Sequence, residues 1–189
     1  RAYLVNPRVV TEHGTIEPAA LGLVQTRTIA DGLHEDIDIT NHTQEKVSFR
    51  LTFEMDGDFA DLEETNGKRR QRGRIRRSWR RDGKDAELRF AYRAEHAWDH
   101  CGKRGKSKIE RSLTLRICEA GTPPQRQGRR IWFDIELPSH GHWHACFNWN
   151  ASIDGEVLSP PGCSHFRGGR QPKRPEELFL AEATRFETP

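Results

Sequence analysis

A chain of 189 residues with 34% hydrophobic and 31% charged residues suits one domain, with or without a tail. The low apolar content fits a fold in which each strand buries one face and wets the other. No apolar run approaches the roughly 20 residues of a membrane-spanning helix, and no signal peptide is visible. The sequence starts at Arg1 without a Met, so a piece of a longer protein is expected.

The net charge of +3 conceals two adjoining blocks. From Asp31 to Glu64, eleven acids stand against Lys46 and Arg50; from Lys68 to Arg81, nine basic residues carry no acid among them. Mutual cancellation across neighbouring strands or loops is the expected outcome. Cys101, Cys118, Cys146 and Cys163 contain no CxxC pair, which argues against a zinc ribbon or a thioredoxin-type motif. A reduced cytoplasmic protein is the default.

In chain order, Arg8-Val9-Val10 reads as a strand, and the first sizeable strand is expected over Leu21 to Ile29. From Leu33 to Asn41, Leu33, Ile37 and Ile39 alternate with His34, Asp36, Asp38 and Thr40. The polar run Asn41-His42-Thr43-Gln44 has the chemistry of a turn between two antiparallel strands. From Glu45 to Met55 every second residue, Val47, Phe49, Leu51, Phe53 and Met55, is apolar, the signature of a half-buried strand. After an acidic loop, Gly73 to Arg81 is a charged strand, closed by Asp82-Gly83. Ala86 to Arg93 places Leu88, Phe90 and Tyr92 inward. Ser107 to Glu119 places Ile109, Leu113, Leu115 and Ile117 on one face. Gly121 to Pro124 is a loop. Ile131 to Leu137 and His142 to Asn150 alternate again.

Strands at this spacing, without a long helical pattern, predict an all-β fold, an antiparallel β-sandwich over residues 1–150. Residues 151–175, rich in Pro and Gly, read as a linker. Residues 176–189, opened by Pro175 and acids, read as a short helical tail leading toward a further domain.

The phrases DGLHE, ITNHT, VSFRLTFE and DFADLEETNG between Asp31 and Gly67, followed by ELPSHGHWHACFNW from Glu136 to Trp149, resemble the N-terminal β-sandwich domain of glycogen-debranching-like (amylo-α-1,6-glucosidase-type) proteins. The last phrase looks like the closing strand pair of that module, and the resemblance covers roughly residues 1–150. It implies a non-catalytic accessory domain. Its partner would be a C-terminal α/α-barrel of the same polypeptide, which carries the glycosidase carboxylates. No metal or other cofactor is implied.

Several residue groups could carry chemistry. Asp56, Asp58, Asp61, Glu63 and Glu64 crowd one loop. Paired carboxylates can hydrolyse glycosides, yet a solvated acidic loop is the commoner state, and calcium spacing is lacking. Phe59 and Leu62 among these acids suggest docking, so Asp58, Phe59, Asp61 and Leu62 are candidates for contact with the partner domain or with a sugar. Trp132, which alternates against inward Ile131 and Phe133, and Trp98, in a segment AEHAWDHCGKRGK that reads as a polar loop, could stack on an α-glucan. His140, His142 and His144 alternate with Cys146 on one strand face and are weak metal-ligand candidates, against an ordinary outer face. The basic strip with Trp79 could bind nucleic acid, but the preceding acids weaken its field. No Ser-His-Asp order, phosphate loop or dinucleotide fingerprint is present, and no catalytic residue is assigned. A stand-alone carbohydrate-binding module is the alternative reading, followed by a nucleic-acid binder. No membrane partner is expected.

Overall fold

The computed structural model describes residues 1–60, 62–65, 67 and 73–160. Among these the chain forms β1 (Ala2–Val5), β2 (Val9–Thr11), β3 (Gly14–Ile16), β4 (Leu21–Ile29), β5 (Leu33–Asn41), β6 (Val47–Glu54), α1 (Leu62–Thr65), β7 (Arg74–Asp82), β8 (Asp85–His100), β9 (Lys103–Cys118), β10 (Gln125–Gln127), β11 (Arg130–Leu137), β12 (His142–Ile153) and β13 (Glu156–Leu158). An eight-stranded antiparallel sheet runs in the order β1-β4-β5-β12-β9-β8-β7, with β13 also paired to β12. It faces a three-stranded sheet, β10-β11-β6; β2 and β3 form a separate hairpin. No described helix is long and apolar enough to cross a membrane.

Period-two alternation builds both layers. In the small sheet Val47, Phe49, Leu51 and Phe53 lie opposite Leu137, Ile135, Phe133 and Ile131, so one face is continuously apolar. Across the gap stand Ile37, Ile39, Leu88, Phe90, Leu115, Ile117, Ala145 and Phe147 of the large sheet, all buried. Aromatic rings lock the layers. Phe53 meets Phe147 edge-on at 5.1 Å, and Phe133 meets Trp143 at 5.0 Å. Such contacts add to the area that is buried.

The segment 41–44 does not close a hairpin. β5 pairs with β4 and β12, whereas β6 pairs with β11, so this connection carries the chain from one sheet to the other. The phrase from Glu136 to Trp149 likewise spans the return crossing, since β11 and β12 lie in different sheets. The two crossings meet at Asn41, whose buried amide donates to Glu45 O at 2.7 Å and Pro138 O at 2.8 Å.

Strands β8 and β9 extend well past their expected limits. The polar segment around Trp98 is a hairpin turning at Cys101 and Gly102, with φ of 52° and 73°, the left-handed pair that a two-residue turn demands. Among the described residues no further strand pairs with β8 beyond Arg93 or with β9 before Arg111, so residues 94–110 form a two-stranded ribbon projecting from the sheet. At the other limit β12 runs to Ile153 and β13 folds back on it, so strand structure enters the segment read as a linker. The tail beyond residue 160, including the expected helix 176–189, lies outside the described residues.

Candidate functional site

The acidic loop after β6 lies against the inner face of the large sheet, where the small sheet no longer covers it. Phe59, at a φ of 55°, stacks on Tyr92 with ring centroids 5.2 Å apart and planes inclined by 10°. Its apolar surface thus has a partner within the domain. Asp58 Oδ1 accepts the Ala60 N–H at 3.1 Å, which tightens the turn. Leu62 opens α1, and Asp61 lies outside the described residues.

Asp56 ties this loop to the basic strand. Arg77 Nη2 and Nε donate to its Oδ1 at 2.7 and 3.1 Å, and Arg129 Nη1 reaches Oδ2 at 3.5 Å. Partial burial pushes the carboxyl upward, but the hydrogen bonds from Arg77, the Gly57 N–H and Arg129 together hold it below the ordinary value. A carboxylate depressed in the folded state stabilises above its unfolded pKa, and that contribution is lost as pH falls through the folded value. With the Asp56 side chain still 33% exposed, Asp56→Asn is expected to cost at most about 1 kcal/mol at neutral pH. The gap should shrink below about pH 4, as urea unfolding at pH 7 and pH 3 will read. An equal gap at both pH values would show that the carboxylate charge is not what holds the loop.

The two tryptophans lie apart from this loop and from each other. Trp132 faces outward on β11, as its alternation predicts. Arg50 sits over its ring at 5.3 Å and donates through Nε to Asp134 at 2.7 Å. Trp98 lies on the ribbon, six residues beyond Tyr92 on the same face, about 20 Å along the strand. It packs over Gly105 so closely that a Cβ there would stand 2.5 Å from Trp98 Cζ2; 44% of the residue remains exposed. Trp79 packs against the core, which leaves the outward side of β7 to Arg74, Arg76 and Arg80.

The three alternating histidines do not converge. His140 precedes β12 in a left-handed turn. His142 Nδ1 pairs with Thr40 Oγ1 at 3.0 Å, and His144 Nδ1 with Asp38 Oδ1 at 2.8 Å. Strand pairing builds a different group deeper on the same outer face. Cys146 lies opposite Asp36, and Asn148 opposite His34. The ligand atoms of His34, Asp36 and Cys146 all fall within 4.8 Å of one another, and all three residues are buried. His34 Nδ1 lies 2.7 Å from Asn148 Oδ1, and Nε2 lies 3.0 Å from Asp36 Oδ1. Asn148 Nδ2 faces Cys118 Sγ at 3.2 Å and Cys146 Sγ at 3.4 Å. Hydrogen bonding with Cys146, aided by Asn148, holds the Cys118 thiol below its ordinary pKa despite partial burial and the nearby acids Glu119 and Asp85. The period-two placement of His34 and Asp36 was visible in the sequence, but the strand that brings Cys146 to them was not.

One end of the large sheet gathers exposed apolar side chains. Ile29 is 80% exposed at the end of β4, Val157 61% on β13 and Ile153 48% at the end of β12. The pairings Ile29↔Leu33, Leu33↔Trp149 and Ile153↔Glu156 set them at the same end, which is also the end from which the ribbon projects. The chain leaves β13 here, so close to the β4–β5 turn that a Cβ on Gly32 would lie 2.5 Å from Pro160 Cδ.

Comparison with known proteins agrees with the phrases from Asp31 onward. The family model for the N-terminal domain of (some) glycogen debranching enzymes matches residues 1–148, nearly the whole described β-structure. No curated protein and no solved structure matches the chain. The chain belongs to the family of N-terminal domains of glycogen debranching enzymes.

Proposed function

We propose that this domain is the non-catalytic N-terminal module of an amylo-α-1,6-glucosidase-like glycoside hydrolase. It packs against a C-terminal α/α-barrel of the same polypeptide and helps shape an α-glucan site at their boundary. The observation that carries this reading, beside the family, is the exposure of Ile29, Ile153 and Leu158 on one face of the sheet at the end where the chain leaves the sandwich. Exposed aliphatic groups on one face mark an interface, and the proposed barrel would follow from that end. The loop Asp58-Phe59, with Asp61 and Leu62, and the ribbon with Trp98 are the elements proposed to reach the boundary. None of the three described cysteines is in a disulfide, which suits the reducing cytoplasm proposed for it.

The test compares hydrogen exchange of residues 150–158 in this domain and in the longer polypeptide that carries it. Strong added protection is expected in the longer protein, together with reduced debranching activity in its Ile153→Asp/Leu158→Asp variant. Equal exchange in both proteins would remove the docking surface, and glucose release from branched α-glucan by the isolated chain would remove the non-catalytic assignment. Direct sugar contact is the second reading, and the open side of Trp98 favours it, since Trp132 is capped by Arg50. Quenching or enhancement of tryptophan fluorescence by maltooligosaccharides, abolished in Trp98→Ala, is its signature.

A further inference from the structure

We propose that His34, Asp36 and Cys146 form a binding site for a borderline-soft divalent metal of the zinc class. One imidazole, one carboxylate and one thiol are the donor types that zinc takes in proteins, whereas calcium and magnesium select oxygen. The spacing suits a tetrahedral ion. Ligands at about 2.0–2.3 Å from a metal stand roughly 3.3–3.8 Å from one another; here Nε2 of His34 lies 3.0 Å from Asp36 Oδ1, Cys146 Sγ lies 3.7 and 3.9 Å from the two ring nitrogens, and the three donors stay within 4.8 Å of one another.

The surroundings are those of a metal site as well. Asn148 Oδ1 takes the proton on His34 Nδ1 at 2.7 Å, which turns the Nε2 lone pair toward Asp36, while Cys146 Sγ flanks the ring, 3.7 Å from Nδ1 and 3.9 Å from Nε2. An outer hydrogen bond of this kind fixes the tautomer of metal-bound histidines. Without a proton on Nε2 or a cation beside it, that lone pair would face the carboxylate oxygen directly. Asp36 is 3% exposed and Cys146 fully buried, with the imidazoles of His34 and His144 at 3.0 and 3.9 Å from the carboxylate, so the donors stand in a water-poor part of the fold where a bound cation is held strongly. Both contributing strands, β5 and β12, are interior members of the large sheet, which holds the donors in place before any ion arrives.

The experiment titrates the reduced chain with Co2+, followed by Zn2+, under optical absorption. One equivalent of Co2+ is expected to bind with a thiolate-to-cobalt charge-transfer band in the near ultraviolet and tetrahedral visible bands, both bleached by Zn2+. Cys101→Ser, at the ribbon tip, should behave as wild type. Cys146→Ser should lose the charge-transfer band, and Asn148→Leu should weaken binding about 10–100-fold. Failure of the wild-type chain to take up a stoichiometric ion overturns the proposal, and so does a charge-transfer band that survives Cys146→Ser. Circular dichroism of each variant separates lost ligation from lost folding, and the wild-type titration decides the matter even if a variant does not fold.

Discussion

Phe133→Ala is expected to lower the unfolding free energy by about 3–5 kcal/mol, the largest effect of any single substitution considered. Phe133 is fully buried in the middle strand of the small sheet, opposite Leu51. Its ring touches both layers: Phe53 at 6.1 Å on its own sheet, Trp143 at 5.0 Å and Phe147 at 6.2 Å on the other. Truncation therefore removes the ring that bridges the sheets and opens a cavity walled by aromatics fixed in their own contacts, which cannot close inward cheaply. Phe133→Leu fills part of that space and should cost markedly less. Against a typical total of about 5–15 kcal/mol for a domain, the alanine variant loses a large share. Guanidinium unfolding of both variants measures this. A loss below about 1 kcal/mol for Phe133→Ala, well under the usual range for a buried Phe, would mean that the two sheets do not face each other as described.

Asn41→Leu is expected to cost about 3 kcal/mol, from polar groups left unpaired rather than from lost volume. Asn41 is fully buried. Besides the two carbonyls to which its amide donates, its Oδ1 accepts from Thr43 N at 3.0 Å and Thr43 Oγ1 at 2.8 Å. Leucine has nearly the same shape and leaves the Glu45 and Pro138 carbonyls and the Thr43 N–H without these partners. Asn41→Asp separates the halves of the network. It keeps the acceptor for Thr43 but sets a carboxylate oxygen against two carbonyls, so it should also be strongly destabilising. Urea unfolding of the two variants checks this, and an Asn41→Asp protein as stable as wild type would show that the amide donors are dispensable.

Individual strands were legible in the sequence wherever alternation ran long enough. The limits of β4 and β5 coincide with those read from Leu21, Ile29, Leu33 and Asn41, and the inward faces of β6, β11 and β12 are those their periodicity gives. The partition between sheets was not legible. Turn chemistry at 41–44 is the same for a hairpin as for a crossing, and the partner that makes it a crossing, Pro138, is 97 residues away. The ribbon read as loop because a pair of strands outside the core has no buried face to impose alternation. Strands β1, β3, β10 and β13, of three or four residues, are too short to show a period.

The site was legible in composition more than in geometry. The outward Trp132 follows from alternation alone, and Phe59 stood out as an apolar residue among acids. Its stacking on Tyr92 depends on how the loop folds back. The histidine alternation marked the outer face of β12, and strand pairing sets further polar side chains on that face of the sheet. The buried polar residues there are His34 and Asp36, brought from more than a hundred residues upstream by strand pairing.

The ribbon gives β9 two different lives along a single strand. From Arg111 to Cys118 it is an interior strand carrying Leu115 and Ile117. Glu110 still bonds to Asp154 in the β12–β13 turn, but from Lys103 to Ile109 the described contacts are those with its hairpin partner, among them the surface pairs Arg104–Asp99 at 2.8 Å and Lys106–Glu95 at 2.9 Å. Whatever happens near Cys101 is therefore insulated from the sandwich. Of all the described segments, the tip is where the chain can drift, lengthen or accept an inserted peptide during divergence while the fold beneath it stays the same.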